Sequence, residues 1–182
     1  MALSPADLHR LRLQQLAVYV RDSRALLTPP QHDAHAKEPV ASSPSALAAT
    51  WRAFRKISYS TGQILTVAEI QATRLPPQAL PDSWAGICAG LRDAARRLDE
   101  LHAQWLVDRE EILSRDTDTR AEYESRLQQR DHAAWPHLAR WTRDAETILH
   151  LDVLARGLTT RTARSPEPPP LPHCRAAPPH RP

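Results

Sequence analysis

With 182 residues, the chain has room for one domain and its tails; two full cores would be cramped. Its formal net charge of +3 is too small to demand a polyanionic partner, and with only four glycines the usual phosphate-binding loops have little raw material. Two cysteines do not make a disulfide framework, and no run approaches the ~18 apolar residues that suggest a membrane span.

Arginine carries nearly all the positive charge, Lys37 and Lys56 being the only lysines. Basic ends flank an acidic stretch at 82–113 that holds Asp82, Asp93, Asp99, Glu100, Asp108, Glu110 and Glu111. The N-terminal MALSPADLHRLRLQQL has no basic lead before an unbroken apolar run, so it does not read as a signal peptide. The expectation is a soluble, cytoplasmic protein, and the free cysteines suit a reducing compartment.

Apolar residues at three- and four-residue spacing dominate, and strand patterns are nearly absent. Ser4-Pro5-Ala6-Asp7 announces a first helix: Ser4 can cap, Pro5 suits the first helical position and Asp7 can complete the box. Leu13, Leu16, Val20 and Leu27 form its stripe, widened by Leu8 and Tyr19, and the helix should stop before Pro29-Pro30. Residues 28–44 read as a flexible loop. Ser43-Pro44 starts a second helix with Leu47, Trp51 and Phe54 on one side and Ile57 close by. Ser58 to Gly62 weakens it, so the chain either kinks there or begins another helix, whose face runs from Ile64, Leu65, Ala68 and Ala72 to Leu75.

Pro76, Pro77 and Pro81 then form an elbow, with Asp82 or Ser83 placed to cap the next helix. That helix is the clearest of all. Trp84, Ile87, Leu91, Ala94, Leu98, Leu101 and Trp105 make a heptad-like seam that fits packing inside a bundle or a short coiled coil with another chain. Asp108 interrupts the seam before Ile112, and the simplest reading leaves its carboxylate solvated where the seam ends. Thr119 with Glu122 signals a last helix, carried by Tyr123, Leu127, Ala134, Leu138, Trp141, Ala145 and Ile148. Pro136 should kink or split it, and Gly157 is a natural C-cap. Residues 158–182, thick with proline and arginine, should be disordered.

The stretch TGQILTVAEIQATRLPPQALPDSW at 61–84 raises a second reading. It loosely resembles the helix-turn-helix regulators of high-GC bacteria, in which a run such as L-T-x-x-E-I is followed by a Leu-Pro segment and a Trp-bearing helix. The resemblance covers about 25 residues. It implies a DNA-binding regulator using residues 61–97, with Arg74, Arg92, Arg96 and Arg97 as the phosphate or base contacts. Proline stands where polar reading residues would begin, and Asp93, Asp99 and Glu100 balance the arginines.

Chemical motifs are scarce. His32-Asp33-x-His35 lacks a third ligand nearby, Arg130-Asp131-His132 is an isolated polar triplet, and neither zinc-protease nor nucleotide-loop patterns occur. The tail offers Pro169-x-x-Pro172, but Arg175 stands one residue beyond the usual register for a proline-groove ligand. The reading is therefore all-α: an antiparallel bundle of four helices, or five if residues 45–75 divide, spanning 1–157. Its expected role is a non-enzymatic interaction or accessory subunit that binds a protein partner or itself, with no cofactor, metal or small-molecule substrate. Trp84, Leu91, Leu98, Trp105, Arg109 and Trp141 are the candidate interface, large aromatics and arginine being favoured anchors.

Overall fold

In the computed structural model, which describes residues 3–27, 44–115 and 119–163, the expected stripes become five α-helices, with no strand among the described residues. These are α1 (Pro5–Leu27), α2 (Pro44–Arg55), α3 (Thr61–Ala72), α4 (Trp84–Leu113) and α5 (Arg120–Ala163). At 1.5 Å per residue, α5 is roughly 66 Å long and α4 roughly 45 Å, against roughly 34 Å for α1. The long α5 packs on each of the other four helices, and α4 lies antiparallel along it as the most extensive pairing.

Local chemistry explains the boundaries. Asp7 N–H donates to Ser4 Oγ at 3.1 Å, and the Ser4 hydroxyl donates back to the Asp7 carboxylate at 2.6 Å, so the expected box opens α1. Between α2 and α3 the helix does divide, at a single 3₁₀ turn over Ser58–Ser60. There the hydroxyls of Ser58, Ser60 and Thr61 donate to the carbonyls of Arg55, Ile57 and Ser58, and the backbone N–H groups of Ser60 and Thr61 reach Ile57 and Ser58 as well, so the tight turn's acceptors are satisfied locally. The elbow also forms as expected: Pro76 is extended, Pro77–Ala79 makes a 3₁₀ turn and Leu80 is extended again.

Three expectations need correction. Ser83 precedes α4, but its side chain makes no capping bond; the start is held by backbone bonds from Trp84 to Pro81 and from Ile87 to Ser83, both 2.9 Å. Of the kink or split expected at Pro136, the split does not occur: α5 is one helix across it. Proline removes one N–H bond there, while Ala134, Leu138 and Trp141 on either side are wholly buried and hold the helix against its neighbours. Gly157 does not cap: the helix passes through it to Ala163. Of the loop expected at 28–44, residues 28–43, with the Ser43 start signal and His32 and His35, lie outside the described residues; of the disordered tail expected at 158–182, residues 158–163 belong to α5 instead and the rest lies outside them.

The core is a continuous cluster drawn from all five helices. At its centre Tyr19, Phe54 and Trp141 form an edge-to-face chain, with centroids 5.8 Å and 5.6 Å apart. Tyr19 Oη is bonded to the Leu138 carbonyl and to Thr142 Oγ1, both at 3.2 Å, so its burial costs no hydrogen bond. Burial pushes its hydroxyl pKa up to about 12. Leu16, Ile64, Leu65, Leu91, Leu98 and Ile148 fill the space around this chain, and fully burying each such side chain stabilises by about 1.5–3 kcal/mol.

Candidate interaction surface

The heptad-like seam of α4 is used inside the molecule. Leu91, Leu98, Trp105 and Trp141 are buried, Trp84 is half-buried against the core, and Arg109 alone of the six candidate interface residues is exposed. Asp108 does not end the seam in solvent: it accepts from Gln104 Nε2 at 2.7 Å, lies 3.9 Å from Arg126 of α5, and the seam resumes at buried Ile112.

One polar group stands deep in this packing. The Arg130 guanidinium lies between the rings of Trp51 and Trp105, 4.7 Å and 5.2 Å from their centroids, and pairs with the adjacent Asp131 carboxylate. Asp131 faces inward while His132 is exposed, so the triplet Arg130-Asp131-His132 does not converge on one point. His102 packs against Trp51 with ring centroids 6.2 Å apart, and burial, with Arg55 and Arg130 nearby, lowers its pKa.

The arginines of the nucleic-acid reading are largely neutralised. Arg92 pairs with Glu69 at 2.8 Å, Arg96 with Asp93 at 2.5 Å and Glu100 at 2.9 Å, and Arg97 with Glu100 at 2.9 Å. Arg74 is exposed and makes no ion pair among the described residues. Residues 73–83 separate α3 from α4, far more than the three- or four-residue turn of a helix-turn-helix.

Among the grooves that flank the core, two hold buried polar or thiol groups. One, of about 760 Å³ between α3 and α4, is lined by Trp84, Leu80, Cys88 and Arg92 among others. Its thiol is unreactive in character: Cys88 donates to Glu69 at 3.0 Å, and burial with that carboxylate raises its pKa to about 11. The other, of about 520 Å³, lies against α1, α3 and α5 and contains the buried Asp152 carboxylate. Gln71 Nε2 donates to Asp152 at 2.9 Å, Arg156 meets it at 2.6 Å and His9 stands 3.7 Å away, so its charge is already matched from within the chain. Burial outweighs Asp152 and lowers the His9 pKa. No group of three or more metal-capable side chains occurs among the described residues, and none of the helices described is long and apolar enough to cross a membrane.

A different surface lies on the outer side of α4, past the last of its residues in the core cluster. Here α4 and α5 form a hairpin held by Trp105 against Tyr123, with centroids 5.1 Å apart, and by Arg115 Nη1 on Glu122 at 2.8 Å. On the outer face Leu106 and Leu113 are 44% and 63% exposed, and Val107, a quarter-turn round the helix, is 63% exposed. Leu106, Arg109, Glu110, Leu113 and Ser114 line one shallow concavity along two turns of helix. Leu106, Leu113 and Glu110 are absent from the candidate residues drawn from the sequence, although their three-, four- and seven-residue spacing is a helical stripe in its own right. The inner seam masks it, because periodicity alone does not say which of two stripes a neighbouring helix covers.

Comparison with protein-family models, with curated proteins and with solved structures finds no match to this chain, so the functional reading rests on the geometry of its own surfaces.

Proposed function

We propose that this protein is a non-catalytic helical docking subunit, and that the outer face of α4 at 106–113 is its contact surface. The observation that carries the reading is the exposure of Leu106 and Leu113, one above the other on one face of a helix whose inner seam is already satisfied. A second apolar stripe on a helix that has buried its first stripe is the form that helix-on-helix recognition takes. The charges agree. Asp108, Glu111 and Arg115 are engaged within the hairpin, whereas Arg109 and Glu110, between the leucines, make no ion pair among the described residues. The occupant that fits is another amphipathic helix. Arg109, one of the residues singled out from the sequence, keeps its role as an anchor, and the seam residues Trp84, Leu91, Leu98, Trp105 and Trp141 act by holding α4 in place.

The test is the mass of the tagged chain after brief chemical crosslinking in the cells that make it, compared with the variant L106D/L113D. Both substituted positions are exposed, so the variant keeps its helix content and unfolding midpoint. The reading expects wild type in an assembly heavier than 20.5 kDa and the variant as a free monomer. Equal masses for the two would contradict it.

A further inference from the structure

The contact face has a symmetry that identifies its occupant. The run Leu106-Val107-Asp108-Arg109-Glu110-Glu111-Ile112-Leu113 places Arg109 and Glu110 at its centre and a leucine three residues outside each of them. Four of the five residues that line the concavity, all but Ser114 at its end, therefore read Leu, Arg, Glu, Leu from one end, with the two charges exchanged from the other. Two copies of α4 laid antiparallel about a two-fold axis between Arg109 and Glu110 set Leu106 of one copy against Leu113 of the other. The same axis sets Arg109 against Glu110, twice.

We infer that the outer α4 face pairs with the same face of a second copy of this chain, as an antiparallel helix pair; this rests on the reading of that face as a contact surface. An isologous contact requires a self-complementary patch, and the spacing supplies one. Charge complementarity points the same way. Along this end of α4, Asp108 is held by Gln104 and Arg126, and Glu111 is held by Arg115. On this end of α4 Arg109 and Glu110 are the two charges that make no ion pair among the described residues, and each is the partner the other needs across the axis. A foreign helix would have to bring a matching acid and base in this order, whereas a second copy carries them already. The two leucines of one face stand roughly 10 Å apart along the helix, so the contact covers about two turns. That is far below the ~800 Å² per partner of a standard interface, and the dimer should be weak, with a dissociation constant on the order of 100 µM.

Sedimentation of the full chain between about 1 and 500 µM at low salt tests this, with circular dichroism as the control for folding. Wild type should rise from 20.5 kDa toward twice that mass. R109E and E110R should each stay monomeric, because each sets like charges together across the axis. Mixed in equal amounts the two should associate, and the double variant R109E/E110R should associate as wild type does. A wild type that stays at 20.5 kDa throughout overturns the inference while leaving the contact face open to another helix. Association that ignores the charge reversals but is lost in L106D/L113D overturns the antiparallel register. Association unaffected by L106D/L113D overturns both the inference and the contact face as the dimer's seat.

Discussion

Replacing Arg130 by methionine isolates a buried ion pair of the bundle. The Arg130 and Asp131 side chains are only 11% and 6% exposed, and each is the other's ion-pair partner. Methionine keeps the aliphatic stem between Trp51 and Trp105 but leaves the Asp131 carboxylate buried without a cation. Stranding one member of a buried pair costs about 3–5 kcal/mol. Losing the cation from between two indoles adds about 0.5–1 kcal/mol per ring. A domain of this size has about 5–15 kcal/mol of stability in total, so R130M should leave a marginal fold. The double variant R130M/D131L removes both charges and should recover most of the loss, to within about 2 kcal/mol of wild type. Urea unfolding followed by tryptophan fluorescence and circular dichroism measures both. An R130M cost below about 1 kcal/mol, or a double variant as unstable as the single, would refute the assignment of a buried, mutually dependent pair.

The pH dependence has a defined sign. His9 and His102 have pKa values lowered by burial, so the fold disfavours their protonation; stability is fully present above about 6.5 and is lost as pH falls through the lowered values. The thermal midpoint should drop between pH 7.5 and 5.5, and H9Q/H102Q should flatten that slope; an unchanged slope in the variant would assign the effect elsewhere. Among the helical glycines, a Cβ at Gly62 meets nothing within 4 Å, so Gly62→Ala should stabilise by about 0.5–1 kcal/mol. At Gly90 the same atom would fall 1.9 Å from the Arg140 guanidinium, which must swing away, so Gly90→Ala should gain distinctly less; equal gains in denaturant unfolding would show that Arg140 does not rest there. Since Arg92, Arg96 and Arg97 are already paired with carboxylates, R92A/R96A/R97A should leave any affinity for random duplex DNA unchanged in an anisotropy titration. A drop in a salt-sensitive affinity would restore the nucleic-acid reading.

Much of the bundle is legible in the sequence because burial repeats at the helical period. Leu13, Leu16 and Val20 in α1, Leu91, Leu98 and Trp105 in α4, and Leu138, Trp141 and Ile148 in α5 can be named from spacing alone and are all buried. The errors fall where a local signal competes with packing. Pro136 and Gly157 are helix breakers by propensity, worth about 3 and 1 kcal/mol, yet α5 runs through both. Buried Ala134, Leu138 and Trp141 beside Pro136, and Ile148 and Leu151 in the turns before Gly157, hold the helix through packing that no local rule includes. The contact face is hidden for a related reason. Leu106 and Leu113 look like a broadening of the seam that contains Trp105 and Ile112, and only the position of α5 shows that they are left outside. The pairing of Arg92 with Glu69 is equally invisible, because it joins helices across the proline elbow.

The central claim is that residues 106–113 touch another helix in the working protein. A photo-crosslinking side chain placed singly at Leu106 or Leu113, with Thr66 on α3 and Ser125 on α5 as exposed control positions, tests it in the cells that make the protein. The account predicts a discrete adduct from both leucine positions and none from the controls, at twice 20.5 kDa if the partner is a second copy. Adducts absent at 106 and 113, or formed equally at all four positions, would contradict it.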